Sequence, residues 1–491
     1  MKFIITFISV LVLGCQFSYA QHENDNWYFG KSAAIGFSNG FANVLSDNPN
    51  TYYSTASASI SDPKTGKLLF YTNGQNIRNG KHEIVRDSII GHKSIQEVIA
   101  LPHPTVASSY YLFLLSRSGA IPAQPILAYL TIDVLPDGEI QVEKETHLMT
   151  SGPFMGLCAV KNCNSDGYWL TTYQTSNKSF YTYEIGNKIN ETPVNSPSNT
   201  DYLTIGTLIS NNTGEFLAMG NYTSGTLSEQ VTLFEIDKKC GTISKKRAFS
   251  FFLGEYCFGL SFSDNNNYLY ASFSVGESSL VQFDIATGSY IEIYKSSSNL
   301  NQMRMGPDGR IYISTHDDGI PGPRIDVINF PNLPGKSCDY NSSQLILGFG
   351  SSSNFHLPNF IQDTSTTTCT PSRYEFSIVE SCVGKPIEIK MTKRSNSLRY
   401  WWEIDGDTFY TLEPTIPSKP AGTYEFRFIQ QSCNNQDTTT FEVNVGHTSL
   451  IDLGLDTTIC RGDSIKIIAK SPDSVGFFWP HNKSNDSFVY L

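Results

Sequence analysis

Apolar residues recur at every second position in short runs along most of this chain, and the runs come in pairs joined by polar turns. A period of two is strand spacing, because successive side chains on a strand face opposite sides. One paired pattern repeats: an alternating strand, a polar turn, then a strand rich in Leu, Tyr and Phe. It appears as Ala58-Ser-Ile-Ser-Asp62-Pro-Lys-Thr-Gly66-Lys-Leu-Leu-Phe-Tyr71 and returns as Val98-Ile-Ala-Leu followed by Ser109-Tyr-Tyr-Leu-Phe-Leu-Leu115. Further copies begin at Leu157, Gly206, Phe258 and Met303. Between copies lie other strand pairs, such as Val231–Asp237 before Cys240-Gly-Thr-Ile and Leu280–Ile285 before Ala286-Thr-Gly288. Gly-containing turns between alternating strands are hairpin chemistry.

The copies start roughly 40–60 residues apart, the period of a four-stranded propeller blade. Six inner hairpins leave a gap that the two ends of the region fill. Phe355-His-Leu-Pro-Asn-Phe-Ile361 reads as an inner strand and Trp27-Tyr-Phe-Gly as the strand beside it. Pairing them closes a seventh blade and removes exposed sheet edges. The reading is an all-β chain with a seven-bladed β-propeller over 21–362; six or eight blades and a two-sheet sandwich array are the alternatives.

Residues 363–369 read as a polar linker. Residues 370–446 have the strands of one immunoglobulin-like sandwich, and 447–491 the opening of a second, cut short against the roughly ninety residues such a sandwich takes. At the other end, Lys2, the apolar run Phe3–Leu13 and Ser18-Tyr-Ala20 read as a secretory signal over 1–20. Val12-Leu-Gly-Cys15 offers the rival reading of a lipid-anchored Cys15. Phe3–Leu13 is too short to span a bilayer, and no later run has the length and apolarity of a membrane-spanning helix.

Lys+Arg number 35 against 46 Asp+Glu, a net charge of −11. Without basic clusters, nucleic acid and anionic lipid are poor partners. Ten cysteines and no C-x-x-C argue for disulfides over zinc in an exported chain. The pairs considered are Cys158–Cys163, Cys240–Cys257, Cys338–Cys369 and Cys382–Cys433, with the connectivity open and Cys460 left over.

Asn26-Trp-Tyr-Phe-Gly30, Ser57-Ala-Ser-Ile-Ser-Asp62, Leu68-Leu-Phe-Tyr71-Thr-Asn-Gly74 and Leu357-Pro-Asn-Phe-Ile361 stand in order. As a set they resemble the exported propeller proteins of Bacteroidota, the gliding-motility-associated and PKD-domain group. Tyr400-Trp-Trp-Glu-Ile-Asp405-Gly-Asp407 resembles a strand of PKD modules, with Ile404 and Thr408 as departures, and Ala421-Gly-Thr-Tyr424 resembles a later one. The resemblance implies type IX secretion and O-glycosylation after Asp, at Ser88, Thr438, Thr457, Ser464 and Ser474.

Candidate chemistry is sparse. His316-Asp317-Asp318 before Gly319-Ile-Pro-Gly-Pro323 reads as a ligand loop at the propeller mouth, or as a solvated turn. Asp405 and Asp407 could give carboxylates to a Ca²⁺ ion, although a plain turn explains them; no other cofactor is expected. Arg461-Gly-Asp463 spells an adhesion tripeptide that chance also supplies. Tyr52-Tyr53 and Tyr110-Tyr111 could each expose one ring for sugar stacking. Nucleophile-elbow, zincin, P-loop and dinucleotide motifs are missing. Glu97 and Glu255 are the carboxylates a propeller glycosidase would need to bring together. The expectation is a secreted or cell-surface binding protein, the propeller recognising a polysaccharide, glycan or surface protein and the sandwiches acting as spacers. A secreted hydrolase of polysaccharide or peptide and a surface-layer component are the alternatives.

Overall fold

The computed structural model describes residues 22–38, 40–49, 56–89, 98–117, 125–149, 154–198, 200, 207–221, 230–251, 256–275, 277–317, 320–365, 374–378, 381–393, 399–432, 435–446, 451–471 and 476–491. The predicted signal segment 1–20 lies outside them. Strands dominate; the helical pieces among the described residues are two 3-10 turns, His22–Asn24 and Gly335–Cys338. The chain divides into two units, Met1–Cys369 and Thr370–Leu491.

Among the described residues the first unit holds seven antiparallel sheets, six of them paired strand by strand in chain order. Five have four strands, one has five and one has three. The first strands of six sheets are Ala58–Ser61, Val98–Pro102, Phe154–Lys161, Leu208–Ser210, Tyr256–Phe262 and Asn299–Met305. We number these blades one to six. Blade seven is made of Asn26–Phe29, Ala33–Gly36 and Asn43–Val44.

Local chemistry explains the meander. The sequence Asp-x-x-x-Gly closes three of its turns. Asp62 Oδ1 accepts the Lys64 and Thr65 N–H groups at 3.0 and 2.7 Å, and Gly66 takes φ +68°. Asp284 Oδ1 accepts from Thr287 N–H at 2.7 Å before Gly288 at φ +79°. Asp237 O accepts from Gly241 N–H at 2.7 Å, with Gly241 at φ +68°. In each case Asp satisfies the turn's backbone donors while Gly supplies the left-handed conformation.

Apolar clusters lie between consecutive sheets. Ile60 and Phe70 of blade one pack on Val98 and Leu112 of blade two. Ile99 and Tyr111 then meet Leu157 and Leu170, and Val160 and Trp169 meet Leu208 and Phe234. Ala218 and Leu233 meet Leu260 and Phe273, and Tyr270 and Leu280 meet Leu300 and Met303. Tyr312 and Ile325 of blade six meet Trp27 and Phe29 of blade seven. Tyr28 of blade seven then meets Tyr71 of blade one, the rings stacked at 4.5 Å. The seventh contact returns to the first sheet, so the sheets form a closed ring, a β-propeller. Each fully buried large side chain in these seams contributes about 1.5–3 kcal/mol.

The inner strands of blades three, five and six share a register shift, after Met155, Cys257 and Leu300. Such bulges sharpen twist, and here they bring neighbouring inner strands close. A Cβ on Gly259 of blade five would stand 2.0 Å from Asn301 O of blade six.

The second unit contains two sheets around one core. One is Glu375–Ile378, Ile387–Lys393 and Thr415–Ile416; the other is Ser381–Cys382, Asn435–Gly446, Gly422–Ser432, Arg399–Ile404 and Asp407–Phe409. Trp402, fully buried, lies 4.8 Å from Phe376 of the facing sheet and 4.9 Å from Phe428 of its own. Beyond residue 450, Lys466–Ile468 pairs with Phe488–Tyr490.

Three of the cysteine pairs considered from sequence, Cys158–Cys163, Cys240–Cys257 and Cys338–Cys369, do not form. Cys158 and Cys257 are buried free thiols inside blade seams, packed among apolar side chains, and Cys158 also hydrogen-bonds with Ser210. Cys163 and Cys240, assigned above to different pairs, are each disulfide-bonded. Their loops touch: Cys163 N–H donates to Lys238 O at 3.0 Å. Cys338 is also a buried free thiol, beside Tyr270. Cys369 and Cys433 lie outside the described residues, so the pair Cys382–Cys433 does too. Cys460 is an exposed free thiol.

Candidate functional site at the centre of the ring

An up-and-down meander sends its connections alternately to two ends. The turns after each blade's first and third strands gather at one end, the turn end. The connections between blades lie at the other, the mouth. A single segment, residues 352–365, runs from the mouth to the turn end through the middle of the ring.

It enters beside blade seven, where Lys31 and Ser352 exchange backbone hydrogen bonds of 2.8 and 2.9 Å. Residues 355–361 form no strand there: in place of the expected pairing with Trp27–Gly30, the segment meets blade seven through the single Lys31–Ser352 bridge and through side-chain packing. Leu357 and Phe360 pack on the Trp27 cluster. Pro358 and Asn359 then face the other blades. Asn359 N–H donates to Ser57 O of the segment entering blade one at 2.8 Å. Its side-chain amide donates to Val98 O of blade two at 3.0 Å and to Leu157 O of blade three at 2.9 Å. Its Oδ1 accepts from Arg304 Nη2 of blade six at 2.9 Å, and Arg304 Nε donates to Pro358 O at 3.0 Å. One buried asparagine thus ties four blades to the seventh. Each such bond adds about 0.5–1.5 kcal/mol, and more where the guanidinium donates.

At the turn end, Asp363 Oδ2 accepts from Lys161 N–H at 2.8 Å and from Lys238 Nζ at 2.6 Å. Carboxylate and ammonium are both buried. Lys238 Nζ also donates to Thr213 O and Ser365 Oγ, and Lys161 Nζ to Ser365 O. Gly214 makes room: a Cβ there would stand 2.2 Å from Asp363 Oδ2, and its φ is +67°. The opening residues of the expected linker 363–369 are thus held inside the first unit.

Burial shifts three titratable groups of the interior. Burial pushes the Cys158 thiol up to about 12, leaving it protonated at neutral pH and a poor nucleophile. Burial, helped by the Arg304 charge, pushes the His356 imidazole down to about 3. Burial lowers the Arg304 guanidinium itself to about 10.

At the mouth, His316 is the next-to-last residue of the second strand of blade six, Ile311–Asp317, opposite Asn299. Its ring lies 4.5 Å from that of Phe355, and its Nδ1 is buried without a hydrogen-bond partner. Phe355 is 36% exposed, whereas its neighbours His356 and Leu357 are buried. The predicted ligand loop therefore places His316 at the mouth, while the Asp317 side chain and Asp318 lie outside the described residues. Glu97, Glu255, Tyr52, Tyr53 and Ser474 lie outside them too.

The remaining candidates are elsewhere. Tyr110 and Tyr111 are both buried, each in a different blade seam, so neither exposes a stacking face. Asp405, at φ +50°, is ion-paired to Lys419, whose ammonium also lies 5.2 Å from the Tyr424 ring. Asp407 is exposed, and the described residues contain no group of three potential metal ligands. Ser88, Thr438, Thr457 and Ser464 are all exposed. Arg461-Gly-Asp463 sits on an exposed turn closed by Asp463 N–H to Cys460 O at 3.1 Å.

No protein-family model and no curated protein matches the chain. Among solved structures it is similar to the periplasmic gluconolactonase PpgL of Pseudomonas aeruginosa, at 12% identity and TM-score 0.44 over 68% of this chain and 99% of that one. A putative 6-phosphogluconolactonase from Bacteroides fragilis matches at 11% identity and TM-score 0.34, over 63% and 100%. The β-propeller domain of Myceliophteria thermophila Cps50 (Swd1) matches at 11% and 0.31, over 68% and 94%.

Proposed function

We propose that the chain is an exported binding protein whose recognition surface is the mouth of the propeller. The observation that carries this reading is the commitment of the ring's interior. Arg304, Asn359, Asp363 and Lys238 bond to one another and to backbone groups of the blades, and the chain itself occupies the turn end. The surface left for a ligand is the mouth, where the connections between blades collect. Export is supported by the apolar N-terminal run and by the disulfide-bonded Cys163 and Cys240, since such bonds persist in oxidising compartments. The resemblance to exported Bacteroidota propeller proteins fits the same reading, with the second unit as a PKD-type spacer and a polysaccharide, glycan or surface protein as partner.

The test is a screen of the secreted full chain against polysaccharides and cell-surface fractions, scored for both retention and product release. Retention without product is the expected result. Release of shorter sugars or peptides would replace this reading with that of a secreted hydrolase.

A further inference from the structure

We propose that Cys163 and Cys240 are bonded to each other and that this bond is a redox-controlled clasp on the closing segment, tight when oxidised and loose when reduced. The clasp holds the ring shut whatever the mouth binds. Cys163 lies in the turn after the first strand of blade three, Phe154–Lys161, and Cys240 in the turn after the third strand of blade four, Val231–Ile236. Both turns belong to the turn end. These are the two described cysteines in disulfide bonds, while Cys158, Cys257, Cys338, Cys382 and Cys460 are free thiols. The two turns are also joined by hydrogen bonds, from Cys163 N–H to Lys238 O at 3.0 Å and from Asn164 Nδ2 to Lys239 O at 2.7 Å.

Lys238 makes the bond consequential. Its carbonyl accepts from two groups of blade three, Cys163 N–H and Trp169 Nε1, the latter at 2.7 Å. Its ammonium holds Asp363 Oδ2 and Ser365 Oγ of the closing segment. The same residue therefore grips blade three by its backbone and the closing segment by its side chain, two positions before Cys240. With the turn covalently tied to blade three, the ammonium meets Asp363 from a fixed position. Without that tie, hydrogen bonds alone hold the turn, and each of these exchanges with water at small net cost. A buried ion pair tolerates little displacement, because its attraction must offset the desolvation of both charges. Loosening the turn thus loosens Asp363 and the segment behind it.

Switching is thiol–disulfide exchange. Cys163 is half-buried and Cys240 buried, so Cys163 offers the approach to an incoming thiolate. A dithiol reductant supplies two electrons and two protons. The S–S bond breaks, one S–H forms on each cysteine, and the dithiol closes into its own disulfide. The Asp237 carboxylate, 3.3 Å from Cys240 Sγ, disfavours a thiolate on that sulfur and so opposes the exchange. The oxidised, closed state is the resting one in an oxidising compartment.

Amide hydrogen exchange read by mass spectrometry on the full chain, oxidised and in dithiothreitol, tests this. A non-reducing peptide map of the oxidised chain should contain the Cys163–Cys240 cross-link; either cysteine joined to a different partner overturns the proposal. On reduction, exchange in peptides covering 352–365 should rise about tenfold or more. Peptides from the second strands of blades two and five, Ser109–Arg117 and Tyr268–Val275, should stay protected. Cys163→Ser/Cys240→Ser should show the raised exchange under both conditions, which ties the response to this bond and to no other cysteine. Asp363→Asn should exchange fast over the same residues whether oxidised or reduced; a variant that still responds to reduction overturns the part given to the ion pair. Unchanged exchange over 352–365 in reduced wild type overturns the clasp. A rise spread evenly over the first unit overturns it as well, since that is the behaviour of a cross-link with no special hold on the closing segment.

Discussion

Burial and the nearby Arg304 charge hold the His356 imidazole neutral down to about pH 3, against an ordinary value of 6.5. The folded chain therefore refuses a proton that the unfolded chain accepts. Above pH 6.5 both states are neutral and His356 has no effect on stability. Below it the unfolded state gains the proton, and stability falls by up to about 1.4 kcal/mol per pH unit until the folded state titrates too. His356→Gln should flatten the loss between pH 6 and pH 4. Urea midpoints measured across that range check this; an unchanged slope in the variant would place the acid sensitivity elsewhere.

At the scale of elements, the closing segment is the part on which the ring depends most. Asp363→Ala leaves the Lys238 ammonium buried and unpaired, and Lys238→Met leaves the carboxylate so. Each should cost about 3–5 kcal/mol. The double variant Asp363→Leu/Lys238→Met should cost clearly less than the two together, because neither charge is then stranded. Denaturant unfolding of the three variants checks this, and strict additivity would mean that the two groups do not act as a pair. This segment also marks where the sequence stops being legible. Alternation in Phe355–Ile361 was enough to bring this segment to the Trp27 cluster, although it packs there without forming the expected strand. The partners that matter are remote: Val98 is 261 residues from Asn359, and Lys238 is 125 from Asp363. No local pattern signals such contacts, so Asp363 reads as linker and Asn359 as one more strand residue. The cysteines show the same limit. Cys158–Cys163 and Cys240–Cys257 are neighbours along the chain, yet Cys163 and Cys240 sit on touching loops of blades three and four, and the other two are core. His316 was legible as a mouth residue because it follows a strand and precedes a Gly/Pro loop. Its packing on Phe355 was not.

For the whole molecule, two units with separate cores should unfold in two steps. Trp402→Ala removes the centre of the second core and should destabilise that unit by about 3–5 kcal/mol, lowering one calorimetric transition while the other stays in place. A single merged shift would show that the units unfold together. The closing segment gives this division a mechanical sense. The segment that completes the ring is also the one from which the chain continues into the second unit. Tension applied downstream of Ser365 would reach the Asp363–Lys238 pair first, then the Asn359 junction, and last Phe355 at the mouth. A pull on the chain beyond Ser365 would thus be borne along this one segment, with the ion pair as its shear pin.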